Sequence, residues 1–153
     1  MLQEFELSPE ALAETHYILA AAAAYEGDFE SAQTEYTAMG ACEASEQSVA
    51  EGWSGYIYAL MAMESYEQAT AECEAMITWV ATAAAFPEAS EYCAGARYQI
   101  SEMLYRQERF AEALTQFNLL LEEYPQSSWT PLAQKQANEI EAFLANTTEG
   151  GAQ

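Results

Sequence analysis

Positive charge is almost missing from this chain. Residues 1–96 contain no Lys or Arg, and the whole of its 153 residues holds four, Arg97, Arg106, Arg109 and Lys135, against 25 acids, for a net charge of −21. So negative a surface excludes binding to nucleic-acid phosphates or to an anionic membrane face. Asp is nearly absent too: 24 of the acids are Glu and only Asp28 is Asp. Glu is a good helix former and Asp a poor one, so the acids sit where helices expect them. A salt-adapted proteome also yields acidic surfaces, usually with more Asp. No apolar run reaches the length of a membrane span, the longest being residues 18–25. The glycines never cluster except at Gly150-Gly151, so there is no phosphate-cradling loop.

Chemistry-bearing residues are equally few. His16 is the only His. It reads as a half-buried residue of the first helix rather than as a general base. Cys42, Cys73 and Cys93 form no CxxC pair and have no His at ligand spacing, so no zinc site is expected. Buried free thiols suit an odd count better than a disulfide framework, although one bridge stays open. The neighbouring acids Glu43, Glu72, Glu74 and Glu91 raise a thiol pKa and argue against a nucleophile. The carboxylate pairs Glu72/Glu74 and Glu122-Glu123 diverge on a helix and read as solvated surface. The expectation is therefore no enzyme, no cofactor and no metal. The opening MLQEFELSPE lacks the basic and apolar regions of a signal peptide. The compartment is expected to be cytoplasmic if Met1 is the native start. A removed leader would make it cell envelope or extracellular.

What is present is helix. The chain has 31 Ala residues, and helix punctuation recurs along it. Ser8-Pro9 starts a helix; Gly27-Asp28 breaks it and Asp28 caps the next. Ser45 opens a third, Ser65-Tyr66 a fourth, Phe86-Pro87 a fifth and Glu108-Arg109 a sixth that Tyr124-Pro125 stops. Thr130-Pro131 opens a last helix to about Asn146. No segment alternates as a strand would. The fold class is all-α, with seven helices and very short turns.

Three of the turns look alike: Gly27-Asp-Phe29-Glu-Ser-Ala32, Glu64-Ser-Tyr66-Glu-Gln-Ala69 and Glu108-Arg-Phe110-Ala-Glu-Ala113. Twelve residues before each Ala lie Ala20, Ile57 and Ser101, and four after each lie Tyr36, Cys73 and Phe117. A small Ala past the turn lets two helices approach, and the aromatic closes the turn. One such unit cannot cover its own apolar face, so units must stack.

This pattern resembles the tetratricopeptide repeat (TPR), W-x2-L-G-x2-Y, then A-x3-F, then P. The third unit fits best: YQISEMLYRQERFAEALTQFNLLLEEYP, residues 98–125, with Ala113-x3-Phe117 and Pro125. The second supplies Trp53-x2-Tyr56-Ile57-x2-Leu60 and Ala69-x3-Cys73; the first, His16-x2-Leu19-Ala20-x2-Ala23 and Ala32-x3-Tyr36. The departures are Ala20, Ile57 and Ser101 where the family has its close-contact Gly, Cys73 for an aromatic, and units longer than usual. Long units ending in Tyr-Pro-x-Ser are similar to TPR proteins of the bacterial envelope, of the outer-membrane assembly and Tol–Pal-associated type.

The resemblance implies a right-handed α-solenoid of three helix–turn–helix units, about 9–45, 46–86 and 87–125. Leu132, Ala133, Gln136, Ile140, Phe143 and Leu144 face inward on a capping helix, 130–146. Residues 1–8 form an extension and 147–153 a flexible tail. It also implies a concave groove lined by the first helix of each unit. By register this strip holds Glu14, Tyr17 and Ala21, then Glu51, Ser54, Tyr58 and Met61, then Tyr98, Glu102, Tyr105 and Arg106. A Tyr-rich, acid-rimmed strip suits a basic or extended segment of a partner protein. The expected function is a non-catalytic interaction scaffold. The alternative is a self-assembling structural subunit stacking through its repeats, with Phe5 and Leu7 as the docking element.

Overall fold

The expected caps decide where the first helices begin. Ser8 accepts from the Ala11 N–H at 3.2 Å, Asp28 from Ser31 at 3.1 Å and Ser45 from Ser48 at 3.3 Å. The two hydrogen bonds from Ser31 also hold the exposed Asp28 carboxyl below its ordinary range. A computed structural model describes residues 7–82 and 86–149. Its helices are α1 (Pro9–Glu26), α2 (Phe29–Ala41), α3 (Glu46–Ala62), α4 (Tyr66–Thr82), α5 (Ala89–Arg106), α6 (Phe110–Glu123) and α7 (Thr130–Glu149). Among the described residues there is no strand. Helix α7 continues to Glu149, past the expected end at 146.

The described residues fall into two compact units, and the division runs through α4. The first holds residues 7–72 with Phe86, where α1 packs on α2, α2 on α3 and α1 on α3. The second holds 73–82 and 87–149, where α5 packs on α6 and α6 on α7. Neighbouring helices thus pack in chain order, as in a repeat-like all-α fold.

The three similar turns share one backbone. Gly27, Glu64 and Glu108 are left-handed, with φ of 81°, 58° and 59°. The next N–H, of Asp28, Ser65 or Arg109, donates to the carbonyl five residues back, Ala23, Leu60 or Leu104, at 2.9 Å each time. This Schellman-type closure satisfies helix-end carbonyls at the cost of one left-handed residue. Gly adopts that conformation freely; Glu does so against its Cβ. Glu64→Gly and Glu108→Gly are therefore expected to stabilise the fold by up to about 1 kcal/mol each. Thermal unfolding of each single variant checks this, and a lowered midpoint in both contradicts it.

The residues at the repeated offsets are all buried. Ala20, Ile57, Ser101, Ala32, Ala69, Ala113, Cys73 and Phe117 have no exposed surface, and Tyr36 is nearly covered. The Ser101 hydroxyl donates to the Arg97 carbonyl at 2.8 Å, so its burial leaves no polar group unpaired.

Candidate functional site

In the first unit, α3 is cut away to receive α2. Gly52 sits 2.7 Å, measured from where a Cβ would lie, from the Met39 sulfur, and a Cβ on Gly55 would overlap the Tyr36 ring. Tyr36 fills that space and joins Ala20, Ala32 and Ala59 in the core. Burial, and then the nearby Tyr17, raises its phenol pKa. Tyr17 lies edge-on to Tyr36, centroids 6.5 Å apart, and keeps 43% of its surface exposed. Tyr58, one turn beyond Gly55, is 49% exposed, and Glu14 is exposed. Glu51 is half-buried and accepts from Gln47 at 3.3 Å. Met61 is buried, so it belongs to the core rather than to a surface strip.

Several other polar groups of this unit are engaged. The Tyr56 hydroxyl accepts from Gln33 and Gln68 at 3.0 and 2.8 Å, and Trp53 donates to Glu72 at 2.8 Å. Half-buried His16 places Nδ1 2.7 Å from Glu35. Residues 1–72 hold 14 of the acids and no Lys or Arg.

In the second unit, Tyr98 stands between Phe117, edge-on at 5.6 Å, and Trp129 at 5.1 Å. Gly95 makes room for Trp129, whose Nε1 lies 3.1 Å from the Cβ position. Tyr98 is thus half-buried packing. Glu102 accepts from Arg106 at 3.3 Å, which neutralises it locally. Tyr105 is partly exposed and begins an aromatic row that the sequence pattern missed. Phe110 lies 5.4 Å from it, and Phe143 4.9 Å from Phe110. On α7 the buried residues are Ala133, Ala137 and Ile140, whereas Leu132 and Phe143 are half-exposed. The expected inner face holds at Ala133 and Ile140, with Gln136 and Leu144 half-buried, and is corrected at Leu132 and Phe143, in whose place Ala137 makes the contact.

A second feature that the pattern missed joins α5 to the α6–α7 connection. Glu91 accepts from Ser127 Oγ at 3.0 Å, Ser128 Oγ at 2.8 Å and Ser128 N at 3.2 Å. Beside it lies a cavity of about 250 Å³ lined by Ser90, Glu91, Glu123, Tyr124, Pro125, Gln126 and Ser127. Both its carboxylates are taken, Glu123 by Arg97 at 3.1 Å. Nearby, Cys93 is buried and bonded to the Tyr124 hydroxyl. Burial raises the Cys93 thiol pKa and, with the adjacent sulfur, pushes the Tyr124 phenol up to about 12. Such burial disfavours the thiolate, the form in which a cysteine attacks. Of the other two thiols, Cys42 is half-buried and Cys73 buried.

Every cation of the second unit has a carboxylate beside it: Arg97–Glu123, Arg106–Glu102, Arg109–Glu112 at 2.5 Å and Lys135–Glu139 at 3.9 Å. Among the described residues no group of three His, Cys, Asp or Glu could hold a metal ion, and no helix is long and apolar enough to cross a membrane. No family model matches this sequence, and neither does any curated protein.

Proposed function

We propose that this chain is a non-catalytic protein–protein interaction scaffold, built from three TPR-like helix pairs and a terminal helix. It holds a basic segment of a partner protein on its first unit. The repeated turn and its buried positions support reading α1–α2, α3–α4 and α5–α6 as copies of one hairpin. One observation carries the binding proposal. The first unit has 14 acids, no Lys or Arg of its own, and two half-exposed tyrosines, Tyr17 and Tyr58.

Carboxylates around such tyrosines attract Lys and Arg and speed the encounter, while the rings supply contact area at low entropy cost. Glu14 and Glu51 flank this surface. Met61 lies in the core of this unit, and Tyr98 is stacked inside the second. Tyr105 is the exposed tyrosine of the second unit.

The test is an array of Lys/Arg-rich peptide segments, with hits measured by surface kinetics. Bound segments are expected to be basic and to weaken several-fold from about 50 to about 200 mM salt without vanishing. Tyr58→Ala or Tyr17→Ala is expected to shorten residence about tenfold. Leu132→Ala, exposed on α7, should leave it unchanged. No bound segment, or unchanged off-rates in both tyrosine variants, would overturn the proposal.

A further inference from the structure

Helix α1 is apolar nearly all round yet covered on one side only. Ala13 and Ala20 are buried against the unit's core. On the opposite side Leu12, Thr15, Ile18, Leu19, Ala22 and Tyr25 all face solvent, with Ile18 59% and Tyr25 93% exposed. A helix that is hydrophobic on every face normally has neighbours on every face.

The repeated turn fixes the register between α1 and α5. Leu12, Thr15, Ile18, Leu19 and Ala22 correspond to Cys93, Ala96, Gln99, Ile100 and Met103. In α5 all five of these are buried. The α4 segment Cys73–Thr82, of the same unit, supplies part of that cover: Cys73 donates to Gln99 at 3.7 Å. The face that α5 fills with another helix is open on α1.

We infer that the outer face of α1 is a self-association surface, on which the α1 of a second copy lies antiparallel about a two-fold axis at Ile18. Three observations choose a second copy over a basic partner. First, the stripe Ala11, Thr15, Ile18, Ala22, Tyr25 follows the alternating four–three spacing of a helix-pairing seam and holds no carboxylate. A chain this acidic can meet itself only through such a strip.

Second, the stripe complements itself. Antiparallel pairing about Ile18 sets Tyr25 level with Ala11 and Thr15 level with Ala21, large against small. Of the acids in α1, Glu14 comes level with Ala22, and Glu26 comes level with Glu10 only at the ends of the pair. A parallel pair would set Glu14 against Glu14. Third, the hydroxyl in the middle of the strip is satisfied within its own helix, Thr15 Oγ1 donating to the Ala11 carbonyl at 2.7 Å, while Tyr25, 93% exposed, stands at the strip's end. Burying the middle of the strip therefore strands no polar group, and the Tyr25 hydroxyl at its end reaches water.

Size sets the strength. A helix of 18 residues is about 27 Å long. One face of it falls short of the roughly 800 Å² per partner of a standard interface. The dimer is therefore weak, with a Kd on the order of 100 µM.

Sedimentation equilibrium of the full chain across concentration tests this. The mass is expected to rise from 16.9 kDa towards twice that value and stop there, because an isologous contact closes on itself. Raising the salt from about 0.01 to about 0.15 M shortens the screening length from about 30 to about 8 Å. Association is expected to strengthen as the net charge is screened, the opposite sign to binding of a basic segment. Ile18→Glu and, separately, Thr15→Glu should each give monomer throughout, with unchanged helical circular dichroism, while Tyr58→Ala stays dimeric. A monomer at about 1 mM and moderate salt, a mass growing past the dimer, or a dimer that both α1 variants retain would overturn the inference.

Discussion

Phe117→Ala is expected to cost about 3–5 kcal/mol, the loss of a large buried side chain plus the cavity that it leaves. Phe117 has no exposed surface. The loss also reaches beyond its own contacts. Tyr98 rests edge-on against Phe117, and Trp129 rests against Tyr98. Removing the first ring takes away the floor of a three-ring stack that joins α5, α6 and the start of α7. Phe143→Ala, a half-exposed ring touching Phe110, is expected to cost only about 1 kcal/mol. Denaturant unfolding at constant slope compares the two. A smaller loss for Phe117→Ala than for Phe143→Ala would contradict the burial order. At typical stabilities of about 5–15 kcal/mol, the larger cost takes a substantial part of the total.

Two Gly→Ala substitutions in one unit should move stability in opposite directions. Inside a helix the change gains about 0.5–1 kcal/mol. Gly40, on α2, has open space where its Cβ would be, so Gly40→Ala should show that gain in full. On α3 the Gly55 Cβ would overlap the Tyr36 ring, and overpacking of this kind costs about 1–3 kcal/mol. Tyr36 has little freedom to turn away, being nearly covered and backed by Tyr17. The collision outweighs the propensity, and Gly55→Ala should lower stability by about 1 kcal/mol. Gly52→Ala meets only the flexible Met39 side chain and should fall between the two. Thermal melts of the three variants read the ordering. A stabilised Gly55→Ala would mean that α2 and α3 are held less closely than the structure shows.

Local rules wrote most of the helix order into the residues. Ser8, Asp28 and Ser45 cap where capping chemistry places them, because the serine or aspartate oxygen has only the next turn's N–H groups within reach. The shared turn is equally local, six residues closing on one carbonyl. What stayed hidden depends on distant partners. Glu91 looks like any surface acid until Ser127 and Ser128 arrive from 36 and 37 residues away. Tyr98 sits at a groove position by register, but Trp129 and Phe117 claim its ring. On α7 the bulky Phe143 and Leu132 mark the apolar residues, whereas the contact is made by Ala133 and Ala137, whose size is what lets the helices meet. Leu19 lies at a position that the repeat pattern treats as core, yet it is half-exposed. Its burial depends on a helix beyond α1, which no local pattern encodes.

The missing cations of the first unit have a consequence for how it folds. Within residues 1–72 the only side chain able to offset a carboxylate is His16, beside Glu35. Folding draws the unit's acids closer together with no Lys or Arg of its own to balance them. The balance comes from the medium, as the compact chain gathers a denser atmosphere of sodium or potassium than the open one. Those ions are taken up from solution, so they behave as a reactant in folding, and ionic strength sets how far the reaction runs. Counterions are in that sense a component of this half of the molecule.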